Sequence, residues 1–268
     1  MQIYTKMPTP GSIGAGQTAS TKLILGYTHN RIDIRCNAQI AAAPKDLAAA
    51  DWTTVFGDIR IIVNGQTKIE IAAKDAVARA QFFGYVLQNG TLPIDLTMPF
   101  LKLPGDAQVS GYGTTGVATM IIEMDINAGQ TVNSLEVYSL QTGPSNWGHH
   151  LEIQRFSQNI GVVGKVEIAD LPKTAGLVMT AFHFTTANIS AMDVLSNQLP
   201  LLQTDASTRA NALMCAGRIA QAGYTSWDFL DRNMVADSVA MQVQDFRVRP
   251  TFTAAGNFYL ITEGIASF

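Results

Sequence analysis

The chain has 268 residues, a net charge of −3 and only 15% charged side chains, against about a quarter in an ordinary soluble domain. Its Lys and Arg residues occur singly, which excludes a phosphate-tracking groove and any general pull toward nucleic acid or anionic membrane. Hydrophobic residues make up 47%, enough to fill two cores of ordinary domain size. No apolar run is long enough to span a bilayer. The opening MQIYTKMPTP lacks the charged and apolar regions of a signal peptide. Synthesis in a cytoplasm is therefore expected, with residence there unless the protein is assembled into something that leaves the cell.

In chain order, the first feature is a glycine turn, Ile13-Gly14-Ala15-Gly16, followed by strand-like residues 21–25 (TKLIL) and 31–35 (RIDIR). Residues 58–63 (DIRIIV) run into Asn64-Gly65 and return as TKIEI over 67–71. Asn-Gly is the strongest two-residue hairpin signal, because both residues tolerate positive φ. The spacing of Val77, Ala80 and Phe83, with Gly84 as a stop, predicts a helix over 72–83 with those three residues facing the core. A long stretch over 92–116, rich in Pro, Gly and Thr, reads as an irregular functional or partner-covering loop. Strands are predicted over 119–126 and 135–140. Residues 141–146 (QTGPSN) crowd turn formers together and read as the linker.

The same plan then restarts. Residues 151–156 form a strand, Ile160-Gly161-Val162-Val163-Gly164 repeats the glycine turn, and KVEI at 165–168 and LVMTAFHF at 177–184 repeat the two strands. Residues 207–216 (STRANALMCA) follow Asp205, an N-cap residue, and stop at Gly217. They read as a second helix with Ala210, Leu213 and Met214 inward. Strands over 241–248 and 257–262 close the chain. A period of about half the chain is far too long for a solenoid. It implies two copies of one all-β domain, split as 1–145 and 146–268. Many short strands and one short helix per copy predict two tandem eight-stranded jelly rolls.

No motif carries chemistry. His149-His150, with Glu152 nearby, is not a strand-borne metal site, because adjacent residues point to opposite faces; a solvated linker pair is expected. Gly111-Tyr112-Gly113-Thr114-Thr115-Gly116 imitates a phosphate loop but precedes a strand and lacks Gly-Lys-Ser/Thr. Asp231, Asp237 and Asp245 share no common face and should be solvated or paired with Arg232, Arg247 and Arg249. Asp228 and Asp231 are the oxygen donors most open to a calcium reading, although no EF-hand pattern surrounds them. Trp52, Trp147 and Trp227 are scattered, as core or interface anchors are. Cys36 and Cys215 lie in apolar contexts that predict two buried, reduced thiols, not a disulfide framework or a zinc site.

Several segments resemble one family. Glu167-Ile168-Ala169-Asp170-Leu171-Pro172, leading into Ala181-Phe182-His183, looks like the opening of the second jelly roll of the corticovirus major capsid protein. Ile32-Asp33-Ile34-Arg35, after a glycine turn and Lys22-Leu23, resembles the matching part of its first jelly roll. Gln244-Asp245-Phe246-Arg247, the strand containing Tyr259, and the terminal Phe268 fit its close. The N-terminal arm and the 92–116 region depart from the pattern. The resemblance implies a major capsid protein of a tailless icosahedral virus with an internal membrane. It implies homotrimers whose six jelly rolls make a pseudo-hexagonal capsomer, and a capsid lattice with vertex and membrane-associated viral proteins as partners. It implies no catalytic residues, no cofactor and no direct nucleic-acid contact. Calcium is a structural ion of such shells, but no ligand can be assigned to it here. The rival reading is a tandem jelly-roll carbohydrate-binding protein or glycosidase, which would expose an aromatic platform and a carboxylate pair.

Overall fold

A computed structural model of the chain describes residues 2–168, 171 and 176–267. Ala169, Asp170, Pro172 and Phe268, which contribute to the family resemblance, lie outside the described residues. The chain forms two compact units that meet between Gln154 and Arg155, inside the strand His150–Ile160.

In the first unit, Thr28–Ile40 is the central strand of one sheet. Val132–Thr142 pairs with it on one side and Ile3–Lys6 pairs beyond. Its other side is shared end to end by Ala43–Asp46, Thr91–Asp95 and Tyr112–Gly113. The second sheet runs Gln66–Ala72, Phe56–Val63, Met120–Ile126, Thr18–Lys22, all antiparallel. Met120–Ile126 buries every second residue, the alternation of a sheet with one face on a core.

In the second unit, Val178–Phe184 sits between Thr225–Asp228 and Gly256–Ala266, with His150–Ile160 beyond the latter. The facing sheet runs Gly164–Lys165, Phe246–Phe252, Ile189–Ser196, Leu199–Asp205. One core joins the two: Phe182, Phe184, Trp227 and Leu260 meet Met192, Val194, Val248 and Phe252.

The duplication is plainest in a hairpin followed at once by a helix. Phe56–Val63 turns through Asn64 and Gly65 (φ 49° and 78°) into Gln66–Ala72, and the helix Ala73–Phe82 follows. Ile189–Ser196 turns through Asn197 and Gln198 (φ 49° and 67°) into Leu199–Asp205, and the helix Ala206–Cys215 follows. The helices differ at their starts. Asp205 accepts a hydrogen bond from the Thr208 amide at 2.7 Å, whereas Ala72 offers no side-chain cap. Ala72→Ser is therefore expected to raise unfolding free energy by about 0.5–2 kcal/mol, measured by urea denaturation; no gain would show that this terminus is satisfied in another way.

Several expectations need correction. The first helix ends on the buried Phe82, and Phe83, the residue after it, is half-buried and stacks on Phe100 at 4.5 Å. On the second, Arg209 and Leu213 are the buried residues, while Ala210 is exposed and Met214 is 70% exposed. The 92–116 region is not one irregular loop: Thr91–Asp95 is a strand, with Pro93 opposite Asp33, and Pro104–Gln108 is a short helix. The strand expected over 21–25 is Thr18–Lys22. That expected over 165–168 is reduced to Gly164–Lys165 and one bridge from Ile168 to Val248. That expected over 241–248 begins only at Phe246. Cys36 is buried, but Cys215 is exposed at the end of its helix.

Candidate functional site

The residues that looked chemically suggestive are distributed as structural parts. His150 is buried and donates from Nδ1 to the Gly148 carbonyl at 2.9 Å. Its ring lies 4.4 Å from Trp147 and 6.0 Å from Tyr112. It is thus a packed side chain, not half of a solvated pair; His149 is exposed. Glu152 faces Lys68 at 3.9 Å. The Gly111–Gly116 segment opens no helix and is packed as structure. Tyr112 is fully buried and donates to the Leu151 carbonyl, and Gly113 is pressed against Ser145 and Asn146.

The carboxylates are paired with arginines. Asp231 binds Arg209 Nη1 at 3.0 Å, Asp245 binds Arg247 Nε at 2.6 Å, and Asp237 binds Arg232. Arg249 turns to Glu167 at 2.9 Å. Asp228, with a side chain 1% exposed, takes Arg218 Nε at 2.6 Å and the Leu230 amide at 2.8 Å. Burial pushes its carboxyl pKa up, against the pull of Arg218. Asp228 and Asp231 therefore do not fit a calcium ion, since both are engaged by guanidinium groups. Among the described residues no group of three or more His, Cys, Asp or Glu side chains converges as a metal site. Trp52 and Trp227 are 1% and 0% exposed, so they form no platform for a sugar.

Two buried polar clusters escaped the sequence reading because their partners are distant in the chain. His29 is held by Ser139 Oγ at 2.7 Å and the Ile24 carbonyl at 2.8 Å. His183 sits between Ser226 Oγ at 2.8 Å and Glu263 Oε1 at 2.9 Å. Burial lowers the pKa of His29 and of His150. The unfolded chain protonates these rings near about pH 6.5, whereas the folded chain does so only at lower pH. Stability is then fully present above that value and is lost as pH falls through it toward the folded pKa values. Urea midpoints measured between about pH 7.5 and 5 should fall on acidification, with a shallower fall in His29→Gln. An equal slope in that variant would remove His29 from the account.

What remains is two jelly rolls with few charges and several large apolar side chains in solvent. Val86 is 98% exposed, Leu199 68% and Val163 65%. Leu199 and Leu201 lie on Leu199–Asp205, a strand paired on one side only among the described residues. Such edges invite pairing or packing with another chain unless they are covered.

Comparison with known proteins decides what these features belong to. The viral coat protein P2 N-terminal domain matches residues 4–143, and the viral coat protein P2 C-terminal domain matches residues 151–267. The chain belongs to the viral coat protein P2 family. The major capsid protein P2 of Pseudoalteromonas phage PM2 is 24% identical over 202 residues, which cover 72% of this chain and 69% of that protein. The crystal structure of the major capsid protein P2 from bacteriophage PM2 matches with a TM-score of 0.89 at 18% identity, covering 100% of this chain and 98% of that one. The atomic structure of Sulfolobus Turreted Icosahedral Virus matches with a TM-score of 0.72 at 9% identity, covering 99% and 91%. The fold is the double jelly roll of viral capsid proteins, as the repeated strands predict. The protein is a viral coat protein whose place is the capsid, and nothing supports the carbohydrate-binding alternative.

Proposed function

We propose that this coat protein assembles as a homotrimer whose six jelly rolls form a nearly hexagonal tile of an icosahedral shell enclosing a membrane. The observation that carries the reading is the repeated hairpin–helix module, one copy in each jelly roll. Two similar sandwiches per chain turn threefold symmetry into approximate sixfold symmetry, and closed rotational symmetry lets identical chains cover one another's apolar edges. The low charge and the exposed apolar side chains fit a chain whose sides are covered by further copies.

The same reading makes the protein a building block without a catalytic centre. Its suggestive carboxylates face arginines, and its buried His29 and His183 face Ser139 and Glu263. Contact with the membrane runs through other viral proteins, as does closure of the vertices. No helix of the described residues is long and apolar enough to cross a membrane, and no basic amphipathic helix is present in the sequence to lie on one. Negative-stain electron microscopy of the purified protein tests the tile. Hexagonal outlines with threefold averages are expected; particles of single-chain size alone would refute it.

A further inference from the structure

We infer that the outer face of the Ala206–Cys215 helix is a docking surface for a second copy of this chain, which covers it with apolar side chains. The inference rests on the homotrimer reading and names one of its contacts. The two jelly rolls set their helices alike. Ala73–Phe82 packs on Phe56–Val63, Gln66–Ala72 and Thr91–Asp95, and Ala206–Cys215 packs on Ile189–Ser196, Leu199–Asp205 and Thr225–Asp228. Their surroundings differ: eight of the ten residues of the first helix are buried, against two of the ten in the second. In the first jelly roll, the connection leading to Phe56–Val63 holds a short helix, Trp52–Val55, which packs against Ala73–Phe82 with Trp52 and Val55 buried. In the second, the matching connection is residues 185–188 alone, too short to supply such a cover. Ala187 of that connection and Ala206, Ala210 and Leu213 of the helix line one cavity of about 220 Å³, together with Tyr224. Its place between connection and helix corresponds to that of Trp52–Val55, and its lining is mostly apolar.

The solvent face of the helix has the composition of an interface. Arg209 is the only charged residue in the helix, and it is buried. Ser207, Ala210, Asn211 and Met214 are exposed, three or four residues apart and so on one face, and Met214 is 70% exposed. A helix that faces water carries charged side chains on its outer face, whereas the centre of a protein interface is depleted of charge and enriched in Met. A helix that lies on a bilayer is rich in Lys and Arg on its polar face, and this one has neither there. Three chains of two jelly rolls alternate around a ring, so each second jelly roll has the first jelly roll of the next chain for a neighbour. That neighbour gives the second helix the cover that its counterpart has within the chain.

Cys215 reports on this face, one turn from Asn211. It is exposed while Cys36 is buried, so a maleimide probe reaches one thiol in a free folded chain. The purified full chain is labelled at a concentration where sedimentation velocity shows three-chain particles, and mass spectrometry locates the label. Labelling of Cys215 at least about tenfold slower than in the urea-unfolded chain is expected. A three-chain particle whose Cys215 reacts as fast as in urea overturns the inference and leaves the trimer standing; a chain that stays single overturns both. Ala210→Glu sets a charge in the docked face and should raise the concentration needed for assembly by at least about tenfold. A folded variant that assembles like the wild type would also overturn the inference, and if the variant does not fold, the Cys215 rates in the wild type decide.

Discussion

Arg218→Met should remove about 3–5 kcal/mol from the unfolding free energy, the usual cost of breaking a buried ion pair from one side. The side chains of Arg218 and Asp228 are 2% and 1% exposed. Arg218 also donates to the Ala216 carbonyl at 3.0 Å and to Asn233 Oδ1 at 2.8 Å. It thereby ties the end of the Ala206–Cys215 helix to the loop after Thr225–Asp228. Methionine fills much of the volume but leaves Asp228 as a buried carboxylate without its counter-charge. Burial already raises the Asp228 pKa, so the lone carboxyl should take up a proton and the loss should shrink at low pH. The double variant Arg218→Met with Asp228→Leu removes both charges and should recover much of the loss. Urea denaturation of the three proteins reads this directly. A single-variant loss below about 1 kcal/mol would show that the pair is structurally dispensable.

Gly113→Val should be nearly as damaging within the first jelly roll, at about 1–3 kcal/mol or more. Gly113 pairs with Thr28 in the sheet, and a Cβ there would collide with the carbonyl oxygens of both Ser145 and Asn146. Those oxygens belong to backbone, which cannot rotate aside as a side chain can. The same contact holds the turn-rich 141–146 segment in place, through a bridge between Thr115 and Asn146 and the Thr28 hydroxyl bound to the Gly143 carbonyl at 2.7 Å. Gly105→Ala is the control, since nothing lies within 4 Å of its added Cβ. Thermal unfolding should separate the two variants clearly; equal melting temperatures would mean that the 141–146 segment yields at no cost.

Local signals carried the parts of the fold that local physics controls. Asn64-Gly65, the helix before Gly84 and the Asp205 cap are each written within a few residues, and all three are found where the sequence places them. The hairpin Ile189–Asp205 went unread because its turn is Asn197-Gln198, without the glycine that usually marks positive φ at the second position. Ala41-Ala42, at φ 50° and 65°, hides the hairpin before Ala43–Asp46 in the same way. Thr91–Asp95 was masked by Pro93, tolerated because among the described residues this strand is paired on one side only, with Thr28–Ile40. Met214 reads as core by spacing yet is exposed, since the helix turns Arg209 inward. A buried arginine is invisible to a pattern of apolar residues.

The central claim is that this coat protein is a homotrimeric building block, and sedimentation velocity of the purified chain over a wide concentration range tests it most directly. A single species of three chains, persisting on dilution, is the result predicted. A stable monomer at the highest concentration, with or without added calcium, would contradict it.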